Sequence, residues 1–413
     1  MEQVDCVEQA NAGFDLESYI HQDAGEDKEA YARALNAPWA DALLALEADP
    51  FVRAKALAVL IGYAKCYAGR FGAAQIEGVE EEFSFPLVNP ETGGLSRSFD
   101  VAGKIDLLLG EAGLHKVLEH KTTTDSLDAS SDYWDRWIMD TQTSQYFISR
   151  KAKGIEPDTI VCDAIRRPML QATWVPVLDE NGLKIVLDND SRRVRTKDGK
   201  RWKQSKTEPG EIIFQREMTP EEYFHKILAD VESRPEYYFA QREVGRRDSE
   251  ILEYMQDAWA LSQEILYRRR YSLWPRNPQA CSQLGGCDYF ALCCGRAEVD
   301  GIQYRKPDAT GVQTSGTGSG SAATAGSENG ACPRICAVPR HRELSQSLQE
   351  ATLREGKELL TASRMAGLRR CPRYHELKYE KGVEPVAKDD EARSFGTLIH
   401  LGLESFFKSR LGL

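Results

Sequence analysis

The feature that most constrains this fold is a predicted β-hairpin with charged side chains inside apolar strands. The segments SFDVAGKIDLLLG and HKVLEHKTT read as strands, and the turn EAG joins them. Asp106 lies in the first strand, and Glu119 and Lys121 lie in the second. A charge in an apolar run is costly unless it is paired or bound to a metal. The hairpin therefore predicts either an ion pair at a sheet edge or a cation site.

The two carboxylates and the lysine have the chemistry of a metal-dependent hydrolytic site. Carboxylates on adjacent strands can share a divalent cation through their oxygens. Lys121 follows Glu119 by two residues, and such residues point to the same face of a strand. Lys121 can therefore stand beside the cation and stabilise charge on a phosphate. On these three residues alone, an ion pair without catalytic function remains an alternative.

The patterns around the hairpin predict an α/β fold with helical additions. The chain has 413 residues, enough for two or three domains or for one large α/β unit. Apolar spacing predicts helices in three regions, 28–71, 131–154 and most of 219–270. The segments GVEEEFSFPLV and DTIVCDAIRRP read as further strands.

A sharp change in composition divides the chain near its C-terminus. Residues 311–331 contain one charged and no aromatic residue, which is typical of a flexible linker. We therefore expect a helical region at 1–74, a core with a cysteine-rich segment at 75–305, a Gly/Ser-rich linker at 306–340 and a final segment at 341–413. That segment ends in an amphipathic helix, which needs a partner surface, so we expect it to dock on the core.

Bulk composition limits the class of protein. The chain has no run of about 18 apolar residues, so we expect no transmembrane helix. Its first residues lack the apolar stretch of a secretory signal. Ten cysteines without such a signal favour thiols or metal ligands in a reducing compartment over a disulfide framework. The expected location is therefore cytoplasmic.

The net charge of −11 contrasts with a local basic segment. Residues 192–206 hold eight basic residues and one acidic residue. Overall charge says little about such a patch, and phosphate binding needs lysine and arginine. We predict that Arg192, Arg193 and Arg195 contact nucleic acid, with a solvated face as the alternative.

Four motifs together resemble a known nuclease superfamily. GKIDLLL and LEHKTT resemble motifs II and III of the PD-(D/E)XK superfamily. Gln142 and Tyr146, in QTSQY, resemble the Q-x-x-x-Y helix of its RecB and AddB branch, which includes CRISPR adaptation nucleases and many phage recombination nucleases. GTLIHLGLE resembles the first motif of that branch. The resemblance covers nearly the whole chain except the linker, and the combination is more specific than any single motif.

The resemblance implies a restriction-endonuclease-like core, a mixed central sheet flanked by helices, and a set of site residues. By resemblance, Mg²⁺ or Mn²⁺ would be bound by His400, Asp106, Glu119 and the backbone carbonyl of His120. Lys121 would be the catalytic lysine, and Gln142 and Tyr146 would orient the site or hold a DNA strand. The implied reaction is phosphodiester hydrolysis in DNA recombination or repair. A lone histidine on an amphipathic helix is more often a core residue, but three companion motifs favour the ligand role for His400.

The cysteines predict a second metal centre. CSQLGGCDYFALCC contains Cys281, Cys287 and Cys293, with Cys294 as a spare, and Cys371 precedes the His400 motif. Iron–sulfur nucleases of the same branch take one cysteine from the segment before motif I and three from a segment after the nuclease core. Four thiolates suit a 4Fe–4S cluster. They could also hold structural Zn²⁺, and buried free cysteines are the remaining alternative.

The order of these motifs differs from that of the resembled family. There, the segment with the first cysteine and the motif I histidine precedes the carboxylates, whereas here it follows them. Two interpretations stay open. The chain is either a circular permutant or a nuclease without its start that is fused to the truncated start of another.

Three functions stay open on sequence alone. The first is a DNA exonuclease or endonuclease that acts in recombination or repair, with a phage origin as one alternative. The second is a non-catalytic iron–sulfur or zinc DNA-binding subunit of a larger recombination complex. The third is a zinc-stabilised structural protein. The chain has no GxxxxGK[ST] motif, so DNA unwinding would need a helicase or recombinase partner.

Overall fold

The structure is a computed structural model that describes most of the chain between residues 48 and 412. The described residues are 43, 48–155, 159–178, 180–182, 184–187, 193–197, 212–213, 215–282, 286–299, 301–306, 356–386 and 391–412. The predicted linker lies outside this part from residue 307 onward, as does most of the predicted helical region before residue 48.

The described chain alternates between helices and strands. The helices are α1 (Pro50–Cys66), α2 (Ala68–Ala73), α3 (Asp135–Ile138), α4 (Thr141–Ala152), α5 (Pro220–Ser233), α6 (Pro235–Tyr238), α7 (Asp248–Tyr271), α8 (Phe290–Cys293), α9 (Ala362–Arg370), α10 (Pro372–His375) and α11 (Glu391–Leu411). The strands are β1 (Gln75–Val88), β2 (Leu95–Glu111), β3 (Leu114–Thr123), β4 (Thr159–Arg166), β5 (Trp174–Pro176), β6 (Lys184–Leu187), β7 (Arg193–Lys197), β8 (Ile212–Ile213), β9 (Gln215–Glu217), β10 (Phe239–Val244), β11 (Tyr304–Arg305), β12 (Glu358–Leu360) and β13 (Glu384–Pro385).

A six-stranded mixed sheet forms the centre of the molecule. Its order is β1-β2-β3-β4-β10, and β12 pairs with β2. The β3–β4 and β12–β2 pairs are parallel and the others are antiparallel. This mixed sheet with helices around it is compatible with the PD-(D/E)XK core that the motifs predict.

Helices cover both faces of the sheet because its central strands are apolar on both faces. Leu107 and Leu118 belong to a core cluster that includes side chains of α1, α5 and α11. Their neighbours Leu108 and Val117 belong to a second cluster with side chains of α4, α7 and α9. Successive residues of a strand point to opposite faces. The continuous apolar runs of β2 and β3 therefore bury both sides of the hairpin.

The predicted hairpin is confirmed, and its turn has a local cause. Ala112 and Gly113 connect the strands with φ values of 53° and 83°. Two successive left-handed residues twist a tight turn in the direction that flanking strands need, and glycine adopts this conformation without steric cost.

Two predicted helical regions are more divided than the sequence pattern indicates. Residues 131–154 contain α3 and α4, and α4 begins where the Asp140 carboxylate accepts a hydrogen bond from the Thr143 amide at 2.8 Å. Residues 219–270 contain the strand β10 between helices. Its antiparallel pairing with β4 overrides the helical pattern of the region.

The C-terminal segment lies against the same sheet. Leu398 and Phe407 of α11 belong to the core cluster that contains α1. At Gly402 the two helices approach so closely that an added Cβ would lie 2.3 Å from a Leu60 methyl carbon. The strand β12 extends the sheet at β2.

None of the helices in the described ranges combines the length and apolarity needed to cross a membrane.

Candidate active site

The candidate site lies at a fork in the central sheet. One edge of β2 pairs with β12 at residues 99–101 and with β3 at residues 107–111, while its other edge pairs with β1. The fork between β12 and β3 opens into a cleft of about 800 Å³. Side chains from four parts of the chain line it, including Lys104, Asp106, Glu119, Lys121, Gln142, Tyr146, Thr361 and His400.

Asp106 lies where the pairing of β2 with β3 ends. Its Oδ2 accepts a hydrogen bond from the backbone N–H of His120 at 2.9 Å. The same oxygen lies 3.8 Å from Nδ1 of His400 on α11. The structure thus brings together a carboxylate from the hairpin and the histidine of the C-terminal segment.

Glu119, Lys121, Gln142 and Tyr146 form a connected polar network on the cleft side of β3. Lys121 Nζ contacts Glu119 Oε1 and donates to Gln142 Oε1 at 3.1 Å. The Tyr146 hydroxyl lies 2.5 Å from Glu119 Oε2, and Gln142 Nε2 donates to that hydroxyl at 2.5 Å. Gln142 and Tyr146 are one turn apart on α4, so one helix face holds both ends of the Glu119–Lys121 pair.

Burial shifts the pKa values of the acidic groups upward. Burial raises the pKa of Asp106, against the opposing effects of His120 and Lys121. Burial also raises the pKa of Glu119, where the charge of Lys121 opposes the shift and that of Asp106 adds to it. A buried carboxylate and a partly buried one that repel each other form a place where a cation is favourable.

The two basic groups shift in opposite directions. Burial lowers the pKa of His400 to about 4, with further lowering from His120 and Lys121. Its imidazole is therefore neutral near pH 7 and has a lone pair for a metal. Burial acts against the charge of Lys121, but the Glu119 carboxylate outweighs burial and raises the pKa of this lysine.

The donor types fit a divalent cation. Two carboxylates and a neutral imidazole are ligands that Mg²⁺ and especially Mn²⁺ accept. Glu119 faces Lys121 and Tyr146, whereas Asp106 faces His400. The described ranges accordingly contain no group of three or more His, Cys, Asp or Glu side chains already placed around one ion position.

His120 has its backbone at the fork and its ring on the opposite face of the sheet. The backbone N–H bonds Asp106, as above, while the ring Nδ1 lies 2.6 Å from Oδ2 of Asp163 on β4. The ring stacks on Phe407 with centroids 5.8 Å apart. The sequence singled out only the carbonyl of His120, so the side chain and its buried partner Asp163 were missed.

Three of the four predicted cluster cysteines, Cys281, Cys287 and Cys371, lie near one another where the C-terminal segment meets the loop after α7. Asn277 links two of them, because its backbone N–H donates to Cys371 Sγ at 3.4 Å and its carbonyl oxygen lies 3.6 Å from Cys281 Sγ. Burial raises the pKa of the Cys287 thiol, and the nearby thiols of Cys281 and Cys371 add to the shift. Cys293 is on the short helix α8.

Other cysteines differ in state. Cys162 is a buried free thiol in the core, and Cys294 is free and exposed. Cys66 is disulfide-bonded, which departs from the expectation of thiols or metal ligands.

The predicted basic segment lies largely outside the described residues. Arg192 falls outside them, and so do the side chains of Arg193 and Arg195. The backbone of the latter two is on β7, which pairs with β6 in a three-stranded sheet separate from the central one.

Several cleft residues were missed by sequence reasoning. Lys104, Gln145, Thr361 and Ser363 also line the cleft. Thr361 has a recognisable signal, because a threonine at the start of a helical segment is a common N-cap, and its side chain accepts from the Arg364 amide at 3.2 Å. Gln145 has no local signal apart from its position beside Tyr146.

Comparison with known proteins gives one family match. The family model of the PD-(D/E)XK nuclease superfamily matches residues 359–413, which include the last two residues of β12, Cys371 and α11 with His400. No curated protein and no solved structure matches the chain. The C-terminal part of this chain, which supplies His400 to the cleft, therefore matches the PD-(D/E)XK nuclease superfamily, and this match implies a metal-dependent, nuclease-like function.

Proposed function

We propose that this chain is a Mg²⁺- or Mn²⁺-dependent DNA nuclease whose active site is the cleft at the fork of the central sheet. The observation that carries the proposal is the proximity of Asp106 to His400, beside the pair formed by the buried Glu119 and the partly exposed Lys121. The two halves of this set come from distant parts of the chain. Their convergence in one cleft favours a shared chemical role over an edge-strand ion pair.

In this proposal Asp106, Glu119 and His400 would hold the cation, and the His120 carbonyl would complete its ligands. When bound, a divalent cation activates water for attack and stabilises charge on the scissile phosphate. The Lys121 ammonium, which contacts Glu119 in the cleft, would stabilise charge on the phosphate. Gln142, which already bonds Lys121, would keep the ammonium in the cleft, and Tyr146 would orient the second oxygen of Glu119.

The RecB-like type and a role in recombination or repair are proposals that rest on the Gln142–Tyr146 helix and the His400 motif. DNA is the proposed substrate, and Arg192, Arg193 and Arg195 are proposed contacts to it. A helicase or recombinase partner is proposed because the chain lacks a P-loop motif.

The test is cleavage of end-labelled single- and double-stranded DNA by the full chain, purified under anaerobic conditions, with Mg²⁺, Mn²⁺ or a chelator. We expect metal-dependent cleavage that falls by at least ~100-fold in Asp106→Ala and Lys121→Ala, the magnitude typical for loss of a group that stabilises the transition state. The matched control is Lys116→Ala, because Lys116 is on the same strand and pairs with Glu111 and Glu243. Full activity of either site variant, or no cleavage by the wild type, would overturn the proposal.

We also propose that Cys281, Cys287, Cys293 and Cys371 hold a 4Fe–4S cluster. The support is that Asn277 contacts the thiols of Cys371 and Cys281, and that these two thiols raise the pKa of the Cys287 thiol. Such a cluster would join the loop after α7 to the C-terminal segment, and thereby fix the segment that carries His400. It has no role in the proposed hydrolysis.

Metal analysis tests the cluster directly. Anaerobically purified protein should contain about four irons per chain, the stoichiometry of a 4Fe–4S centre. Cys287→Ser should lose the iron, whereas the exposed Cys294→Ser should keep it. Stoichiometric zinc without iron would replace this proposal with a structural zinc site. The absence of both metals would mean that the four cysteines are free thiols.

A further inference from the structure

A row of buried polar side chains crosses the central sheet behind the candidate active site. His120, Asp163 and Gln241 occupy directly paired positions on β3, β4 and β10. Asp163 is completely buried. A buried carboxylate needs several hydrogen bonds to offset its loss of hydration. The mechanism proposed above uses neither Asp163 nor the ring of His120.

Asp163 receives its hydrogen bonds from three elements. Tyr63 on α1 donates to Oδ2 at 2.5 Å, and His120 Nδ1 lies 2.6 Å from the same oxygen. Gln241 Nε2 donates to Oδ1 at 2.9 Å. Arg70 in turn contacts Gln241 and bonds Glu111 at 3.1 Å. Asp163 is therefore fixed from three sides and provides a rigid anchor for His120.

His120 is held equally firmly. Its ring stacks on Phe407 of α11 and packs edge-on against Tyr63, with centroid distances of 5.8 and 6.2 Å. Its Nε2 is buried without a hydrogen-bond partner among the described residues. Nδ1 therefore forms the ring's one hydrogen bond there, and Asp163 determines the orientation of the ring.

The backbone of the same residue faces the active site. The His120 N–H donates to Asp106 Oδ2 at 2.9 Å, at the position where the pairing of β2 and β3 stops. We propose that Asp163 is a positioning residue that acts through His120: by anchoring the His120 ring it fixes the β3 backbone at the fork, and so holds the Asp106 carboxylate in place for a divalent cation. This inference rests on the proposed nuclease function.

Mn²⁺ binding to the full chain, followed by electron paramagnetic resonance of free Mn²⁺, provides a readout independent of DNA cleavage. Asp163→Asn should weaken Mn²⁺ binding by ~10-fold or more, because groups that orient metal ligands typically contribute 10- to 100-fold to affinity. The matched control is Tyr63→Phe, which removes another hydrogen bond to Asp163 Oδ2 and keeps the ring beside His120. It should change the affinity by less than about twofold, well below the effect expected for an orienting partner.

A second variant approaches the same link from the other side. His120→Phe keeps a ring against Phe407 and removes the Nδ1 bond, so it too should weaken Mn²⁺ binding by ~10-fold. If Asp163 acts through His120, the two substitutions break the same interaction. The double variant with Asp163→Asn and His120→Phe should then bind Mn²⁺ as tightly as whichever single variant has the lower Mn²⁺ affinity. If Asp163→Asn does not fold, His120→Phe and Tyr63→Phe still test the link.

Unchanged Mn²⁺ affinity in Asp163→Asn or His120→Phe would overturn the positioning role, as would additive losses in the double variant. Equal losses in Tyr63→Phe and Asp163→Asn would also overturn it, because they would indicate a general loosening of the core. A wild-type chain that binds no Mn²⁺ would overturn the proposed function itself. The wild-type affinity and the ratios between variants thus distinguish the two failures.

Discussion

Oδ2 of Asp106 and Nδ1 of His400 lie 3.8 Å apart, although one residue is on the central hairpin and the other is on the last helix. Sequence order alone leaves it open whether the C-terminal segment and the hairpin share a site. The contact shows that the C-terminal segment and the hairpin contribute side chains to the same cleft. It depends on two attachments, the pairing of β12 with β2 and the packing of α11 on α1.

The packing of α11 on α1 can be tested at Gly402. Gly402→Leu should destabilise the protein by about 1–3 kcal/mol, the usual cost of overpacking a core, because Leu60 is buried and has little room to move. Nuclease activity should fall more steeply than stability at a temperature where the variant is folded, since His400 is two residues away. Thermal unfolding and cleavage rate are the measurements. Thr397→Leu on the exposed side of α11 is the control, and equal behaviour of the two variants would contradict this packing.

The Tyr146 hydroxyl gives a test of the Glu119 environment. Tyr146→Phe removes a group 2.5 Å from Glu119 Oε2 and should lower the cleavage rate by ~10- to 150-fold, because a lost hydrogen bond to a charged group costs about 1.5–3 kcal/mol. The fold should persist, since the ring still packs against Phe83. Tyr133→Phe, a buried tyrosine in a separate cluster, is the matched control. A wild-type cleavage rate in Tyr146→Phe would exclude a functional role for the Tyr146 hydroxyl in the site.

His375 predicts a specific dependence of stability on pH. It is completely buried, stacks on Trp274, and accepts a hydrogen bond from Arg364 through Nε2. Burial lowers its pKa to about 4, with further lowering from Arg364. In the unfolded chain the pKa of this histidine is about 6.5, so below that pH the unfolded chain binds a proton that the folded chain does not. The stability of the fold therefore decreases as the pH is lowered from about 6.5 to about 4.

The effect of His375 should appear as a difference between variants. Between pH 7.5 and pH 5.0 this residue should cost the wild type about 2 kcal/mol of stability. The free energy of unfolding of His375→Phe should therefore decrease by about 2 kcal/mol less than that of the wild type over the same pH interval, as measured by urea unfolding at both pH values. His225→Phe controls for the loss of a histidine elsewhere. Parallel pH profiles for wild type and His375→Phe would contradict the prediction.

The basic strand β7 gives a prediction about DNA binding. Replacing Arg192, Arg193 and Arg195 with glutamine should weaken binding and reduce the slope of log affinity against log salt by up to about 2–3, since each phosphate contact contributes about 0.9 for duplex DNA. Fluorescence anisotropy at several salt concentrations measures the slope. Replacing Arg268 and Arg270, on the last turn of α7, removes a comparable local charge and should leave the slope unchanged. An unchanged slope in the triple variant would indicate that this segment is a solvated face that does not contact DNA.

The local sequence determined the hairpin and the placement of its charges. Apolar runs with a short turn predict β2 and β3, and the two-residue period of a strand places Glu119 and Lys121 on one face. The helix of Gln142 and Tyr146 likewise follows from a helical pattern, which places the two side chains one turn apart, although its start at Asp140 was not predicted. These features depend on neighbours in sequence, so a single chain is enough to predict them.

Tertiary pairing decided the rest. The fork exists because β12 and β3 pair with different parts of one edge of β2. The sequence does not predict it, because a three-residue strand such as β12 has no recognisable local pattern. Strand β10 lies in a region with a helical pattern because its partner β4 supplies the hydrogen bonds. Asp163 appears as one acid in an apolar strand, and only the packing of α1, β3 and β10 around it makes it the anchor of His120. Such contacts join residues far apart in sequence, and their energies depend on burial that the chain acquires only after it folds.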